Sequence, residues 1–210
     1  MIKVIIADDH AVVRQGIKGI LAEDPCIQVV GEARNGVELL DMVVGKKCDV
    51  LIMDMSMPGK NGIEVLEELH KFKLQLPVLV LSMHPEEQYA LRVLKAGASG
   101  YLTKESVPEV LLKAVKKIAS GEKYLTSTLS EKLIYELKAP GKKAAHEMLS
   151  TREFLVMRMI ASGKTVSSIA DELYLSVKTV STYRSRIMSK MNMKTTAEII
   201  RYVIENRLLD

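Results

Sequence analysis

The chain has 210 residues, 48% of them hydrophobic and 27% charged, with no Trp, few aromatics and 12 Met. That balance belongs to soluble globular protein with aliphatic cores, excludes a collagen-like or wholly disordered chain, and at this length favours two small domains over one. The formal net charge of +4 is uneven: residues 1–121 carry −1, residues 122–149 carry +1 and residues 150–210 carry +4.

A positive excess in the last third is the electrostatic footprint of a module that meets nucleic acid, although an ordinary basic surface has the same sign. No apolar stretch approaches the roughly 18 residues of a membrane span. Met1–Ile6, running straight into Asp8-Asp9, is too short for a secretory leader. Cys26 and Cys48 lie in apolar surroundings and read as buried free thiols of a reducing cytoplasm.

The first 121 residues alternate strand and helix. Short runs rich in Val and Ile predict strands at Lys3–Ala7, Ile27–Val30, Val50–Met53 and Val78–Leu81, with a weaker one at Gly100–Leu102. Between them, apolar residues recur at helical spacing: Val13, Ile17 and Leu21, then Val37 and Leu40, Ile63, Leu66 and Leu69, Leu91 and Leu94, and finally Val110, Ala114 and Ile118. Pro85-Glu86-Glu87 reads as a first helical turn, Ser106-Val-Pro-Glu109 has capping-box spacing, and Gly97 closes a helix where a left-handed residue is needed. Five strands alternating with five helices predict a parallel sheet covered on both faces.

Ligands of such sheets bind beyond the carboxyl ends of the strands, where strand order reverses. Strand one ends in Asp8-Asp9, strand three in Asp54 and strand four in Ser82, and strand five is followed by Lys104. Only the second strand brings no polar candidate to that edge. Carboxylates about 4 Å apart repel by roughly 4 kcal/mol per pair at an effective dielectric near 20, which a hard divalent cation relieves. Lys104 offers a compact positive charge for a phosphoryl oxygen and Ser82 a hydroxyl. The joint pattern suits phosphate transfer onto a carboxylate. Two adjacent Asp before a helix, taken alone, would read as a solvated turn.

Ile6-Ala-Asp8-Asp9-His10, Asp54-Met-Ser-Met-Pro58-Gly-Lys-Asn-Gly62, Leu81-Ser82 and Gly97-Ala-Ser-Gly-Tyr101-Leu-Thr-Lys104 resemble, in order and spacing, the receiver domain of bacterial two-component response regulators. The resemblance implies a flavodoxin-like α/β fold of five βα units. It makes Asp54 the phosphoacceptor. It gives Mg2+ the ligands Asp9, Asp54 and the backbone carbonyl of Ser56, with Asp8 acting through water. Ser82 and Lys104 would contact the phosphoryl group, and Tyr101 would change position with Ser82. Many receivers have proline after the lysine; here Glu105 follows, as is common in the subfamily this chain resembles.

Other residues take plainer readings. His10 is a helix-start residue near the pocket. His84 stands at the rim, where receivers can tune dephosphorylation, and His70 and His146 are expected on the surface. The alternation of Met53, Met55 and Met57 is packing.

Ser120-Gly121 ends the fifth helix. Thr128-Leu-Ser-Glu131 has capping-box spacing, and Leu129, Leu133, Ile134 and Leu137 form one stripe of a helix expected from about residue 127 to 138. Ala139-Pro-Gly-Lys-Lys143 breaks it. A lone helix of about twelve residues is marginal in water, so its stripe must pack on something.

The remaining residues read as four helices. Ser150-Thr-Arg-Glu153 caps the first, which carries Leu155, Val156, Met159 and Ile160 and ends at Gly163. Val166, Ile169, Ala170 and Leu173 mark the second, and Ser176 is a good N-cap for the third. Thr195-Thr-Ala-Glu198 caps the fourth, with Ile199, Ile200, Val203 and Ile204 inward. On the third helix Val177, Val180, Ile187, Met188 and Met191 share one side. Lys178, Ser181, Thr182, Ser185, Arg186 and Ser189 share the other, with Arg184 out of place among the apolar set. Small polar residues flanked by Lys and Arg suit a groove wall. The face analysis sets Ser181, Thr182 and Ser185 towards base edges and Lys178, Lys190 and Arg186 towards phosphates.

Leu149-Ser-Thr-Arg-Glu153, Ile160-Ala-Ser-Gly163, Ser168-Ile-Ala170, Leu173, Leu175-Ser176, Lys178-Thr-Val180 and Lys190-Met191 resemble the LuxR-type helix-turn-helix domain. With the receiver they point to a NarL-type response regulator. The implied division is a receiver over 1–121, a partly helical linker over 122–148 and a DNA-binding domain over 149–210. The resemblance implies a cytoplasmic transcription factor, not an enzyme and not membrane-bound. It would be phosphorylated by a partner histidine kinase and bind paired DNA half-sites as a homodimer. Two other classes compete. A small-molecule phosphotransferase would need a second catalytic carboxylate near Asp54, which Met55-Ser56 does not supply. A regulator with a protein-binding output conflicts with the charge division.

Overall fold

The computed structural model describes residues 1–83, 85–131 and 144–209. It divides into two compact units, the first ending at residue 134.

In the first unit the apolar runs become β1 (Ile2–Ala7), β2 (Ile27–Ala33), β3 (Val50–Asp54), β4 (Val78–Ser82) and β5 (Gly100–Thr103). They alternate with α1 (Ala11–Ala22), α2 (Gly36–Gly45), α3 (Gly62–Lys71), α4 (Glu86–Lys95) and α5 (Val107–Ala119). All strand pairs are parallel, in the order β2-β1-β3-β4-β5. This is the flavodoxin-like order, with its reversal between β1 and β3. Val4, Ile6, Ile52, Leu79 and Leu81 are buried with Ile17, Leu21, Leu111 and Val115 on one face, and the alternating Ile5, Leu51, Met53 and Val80 are buried on the other, so both sheet faces need apolar side chains and the strands read as continuous runs.

Every strand begins or ends slightly beyond its apolar run. β2 extends furthest, through Gly31 and Glu32 to Ala33 past a bulge opposite Val4 and Ile5. Gly31 hides this continuation because it interrupts the Val-rich pattern. A side chain there would meet the Met42 sulfur, so the gap in the pattern marks close packing of α2.

Gly97, at φ +109, follows the end of α4 as expected. Glu86 and Glu87 open α4 as expected, but Pro85 stands just before it as the N-cap residue. Two expected caps differ. Ser106 precedes α5 without a capping bond, because its hydroxyl donates to the Thr103 carbonyl at 2.9 Å. Residues 127–131 are helical as anticipated, but the cap is Thr126, whose Oγ1 accepts from the Leu129 N–H and donates to Glu86. Leu129 is buried; Leu133, Ile134 and Leu137 of the expected stripe, and the expected break at 139–143, lie outside the described residues.

The second unit holds a 3-10 turn (Ala145–Met148), α6 (Thr151–Ala161), α7 (Val166–Glu172), α8 (Val177–Lys190) and α9 (Thr196–Glu205). Ser150 and Glu153 form the expected capping box, and Thr165, Ser176 and Thr195 cap the later helices with their hydroxyls. The core joins Phe154, Val156, Ile169, Val180, Ile187, Ile199 and Val203. Two expected inward residues face solvent instead: Ile204 on α9 and Val177 at the start of α8. Ile199 and Val203, one turn apart, complete the inner stripe of α9 without Ile204.

The thiols are free, but Cys26 is exposed, contrary to its apolar neighbours, because it sits in the turn before β2. Cys48 is half-buried, and burial pushes its thiol up to about 11. His146 is also not a bare surface residue: its Nδ1 lies 3.0 Å from the Tyr202 hydroxyl. His70 is exposed as expected, Met53, Met55 and Met57 are buried, and His84 lies outside the described residues.

Candidate functional site: an acidic pocket and a basic helix

Register aligns the pocket. Ala7 pairs with Met53, Asp54 with Leu81 and Ser82 with Thr103, so the residues at or just past four strand ends form a row across the sheet. The Lys104 N–H extends the ladder by donating to the Ser82 carbonyl at 2.8 Å. The tight β3–α3 connection ends at Gly62, where a side chain would come within 3.1 Å of the Asp54 carbonyl oxygen. Any side chain there would have to push the Asp54–Met55 backbone by a few tenths of an ångström, so Gly lets α3 start this close to Asp54.

Asp8 and Asp54 are buried at 0% and 4% exposure, and the Lys104 ammonium lies 2.7 Å from Asp8 and 3.3 Å from Asp54. Burial raises the Asp54 carboxyl above its ordinary range; Lys104 and the Ser56 N–H draw it down, and Asp8 pushes it up again. Burial penalises the Lys104 ammonium, but the Asp54 and Asp8 carboxylates more than offset it and hold its pKa above the ordinary value. Tyr101 is buried and hydrogen-bonded to Ser82; burial drives its phenol upward against that bond.

Asp9 and His10 complete the edge. The Asp9 Oδ1 atom is shielded from solvent without a hydrogen-bond partner among the described residues, although the His10 Nδ1 lies 2.8 Å away. Carboxylate oxygens of Asp8 and Asp9 and a His10 nitrogen all fall within 4.8 Å of one another. An orphaned buried oxygen beside hard oxygen donors fits a divalent cation.

Sequence reasoning missed Arg14. Its guanidinium donates to the Asp8 carbonyl at 2.7 Å and lies 3.4 Å from Glu32, which Lys18 also holds. The brace fixes the backbone from which Asp8 and Asp9 project. The available signal was its phase, since Arg14, Ile17 and Leu21 share the inner face of α1.

On α8 of the second unit, Lys178, Thr182, Ser185 and Arg186 are exposed along one side. The Thr182 and Ser185 hydroxyls donate back to the Lys178 and Ser181 carbonyls, which leaves their lone pairs outward. Ser181 is only half-exposed and points less directly outward than the face analysis expects. Lys190 is 2.6 Å from the buried Glu153, which also accepts from the Ser150 N–H in the capping box of α6. Its ammonium is therefore already paired. Arg184 is half-buried with its Nε shielded, in keeping with its apolar phase.

Comparison with known proteins bears on both sites. Residues 4–116 match the response regulator receiver domain, and residues 147–203 match the luxR family of bacterial regulatory proteins. Response regulator UvrY of Escherichia coli is 35% identical over 209 residues, covering 99% of this chain and 96% of that protein. The oxygen regulatory protein NreC of Staphylococcus haemolyticus is 37% identical, covering 99% of each. RcsB of Salmonella enterica serovar Typhimurium, solved bound to promoter rprA with phosphomimetic BeF3-, has a TM-score of 0.64 at 28% identity, over 96% of this chain and 97% of that one.

Proposed function

The chain belongs to the NarL-type response regulators, a receiver domain joined to a LuxR-type DNA-binding domain, and from that premise we propose that phosphorylation of Asp54 by a partner histidine kinase switches its dimerisation and DNA binding. The observation that carries the reading is the buried row of Asp8, Asp54 and Lys104, with one ammonium within 3.3 Å of both carboxylates. A carboxylate in that setting is a nucleophile held next to a fixed positive charge.

In the proposed step an Asp54 oxygen attacks the phosphorus of a phosphohistidine. The P–N bond breaks, its electron pair returns to the imidazole, and the released ring takes a proton. Lys104 holds a phosphoryl oxygen, and the Ser82 hydroxyl donates to another. Ser82 turns towards the phosphoryl group and Tyr101, its hydrogen-bond partner, moves with it. Asp9, Asp54 and the Ser56 carbonyl would hold Mg2+, with Asp8 acting through water, and the bound ion would supply charge stabilisation for the transferring phosphoryl group. The receiver acts on its own Asp54 and turns over no separate substrate, which sets it apart from an enzyme.

The functional division is the receiver over 1–121, the linker over 122–148 and the DNA-binding domain over 149–210, in keeping with the family matches at 4–116 and 147–203. α8 enters the major groove, with Ser181, Thr182 and Ser185 towards bases and Lys178 and Arg186 towards phosphates, while Lys190, expected at a phosphate, is held by Glu153. Two copies of the chain bind paired half-sites in the cytoplasm, where the target DNA lies. Among the described residues no helix is long and apolar enough to cross a membrane.

Incubation with acetyl phosphate and Mg2+, followed by intact mass, is expected to add one phosphate to the wild type and none to Asp54→Ala. Labelling of that variant at the wild-type rate overturns the assignment. Omitting Mg2+ abolishes labelling, because the carboxylates then repel the incoming anion.

A further inference from the structure

We propose that His10 sets the metal preference of the acidic pocket: it adds a nitrogen donor to the carboxylates and strengthens binding of cations such as Co2+ and Ni2+ relative to Mg2+. The inference rests on the reading of the pocket as a divalent-cation site and concerns which ion that site favours.

His10 directly follows Asp9 and stands at the start of α1, where it makes no side-chain capping bond. Its ring is 67% exposed, with Nδ1 2.8 Å from the Asp9 oxygen and 3.4 Å from the Asp8 oxygen. In an octahedral site with bonds of about 2.1 Å, neighbouring donors are about 3.0 Å apart. The Asp9 separation is close to such a coordination edge, whereas the near Asp8 oxygen accepts from the His10 backbone N–H at 2.8 Å and keeps its role through water. The Asp9 oxygen facing the imidazole makes no hydrogen bond among the described residues, and its 2.8 Å approach to His10 is an ion pair only with a protonated ring, a charge that a bound cation would replace. Lys104, the ammonium of the pocket, lies against Asp8 and Asp54 and leaves the Asp9–His10 side to other charge.

The chemistry of the donor then separates the cations. Mg2+ prefers oxygen and dehydrates reluctantly, so it keeps water in the position nearest the ring. Co2+ and Ni2+ accept imidazole readily, and for them His10 replaces that water.

Calorimetric titration of the full chain with Mg2+ and with Ni2+ tests this in the wild type, His10→Ala and Asp9→Asn. His10→Ala is expected to weaken Ni2+ binding by about tenfold or more while Mg2+ binding changes by less than about twofold. In the Co2+ form, the wild type shows a paramagnetically shifted imidazole N–H resonance that His10→Ala lacks. Equal weakening of both metals, or unchanged Ni2+ affinity, overturns the role of His10. Ni2+ bound as tightly by Asp9→Asn as by the wild type puts that ion elsewhere and also overturns it. If Asp9→Asn leaves Mg2+ binding undiminished, the pocket reading itself fails and takes this inference with it.

Discussion

Asp54 is kept ionisable in a place that disfavours its charge. Burial raises its folded-state pKa above the unfolded value, so the native state binds the proton more readily. Through this group, stability is greatest in acid, below the unfolded pKa, and falls as pH rises through the folded pKa. Asp54→Asn removes the cost. Near neutral pH the variant should melt above the wild type. In acid, where both side chains are neutral, the two melting points should converge. Thermal melts across that pH range check the prediction, and a variant less stable than wild type at neutral pH contradicts it. Arg14 and Lys104 illustrate a limit of local reading. Lys104 was legible because it follows a strand end, whereas the bond from Arg14 to the Asp8 backbone depends on how α1 docks, which no motif records.

At the scale of elements, the strands were legible because both faces of a parallel sheet demand apolar residues, and the pocket because polar residues stop those runs at one edge. The caps were less legible. Ser106 and Thr128 have the spacing of capping residues, but Ser106 bonds a carbonyl behind it and Thr126 takes the cap from Thr128. Such choices depend on which acceptor the fold brings near. Lys190 is the functional counterpart. On a helical wheel it reads as a phosphate contact, yet it neutralises Glu153 from another helix. Glu153 is held below the ordinary carboxylate range: burial raises it, and the bonds from Lys190 and Ser150 more than compensate. That contribution is present above the unfolded pKa and is lost as pH falls through the folded one. Lys190→Ala should therefore destabilise the second unit by roughly 2 kcal/mol. Lys178→Ala should leave stability alone, weaken binding to all duplexes and reduce the salt slope by about one. Thr182→Ala should cost about 1–3 kcal/mol on the preferred site and little elsewhere. Chemical denaturation and duplex titrations at several salt concentrations separate the three. A Lys178→Ala change in sequence preference, with Thr182→Ala weakening every duplex equally, reverses the docking orientation.

For the whole molecule, the two units divide the work by charge. The receiver portion is close to neutral and holds a phosphate-accepting pocket, while the last third carries the positive excess. A single basic helix makes few contacts, so on the proposed reading pairing two copies on adjacent half-sites would raise affinity through effective concentration, with no new contact to DNA. The most direct measurement titrates a duplex carrying the paired half-sites with wild type and Asp54→Asn, each with and without acetyl phosphate and Mg2+, and follows dimerisation by sedimentation in the same samples. Phosphorylated wild type should dimerise and bind at least about tenfold more tightly, while Asp54→Asn shows neither change; equal affinity with and without phosphate, or an equal gain in Asp54→Asn, would contradict control through Asp54.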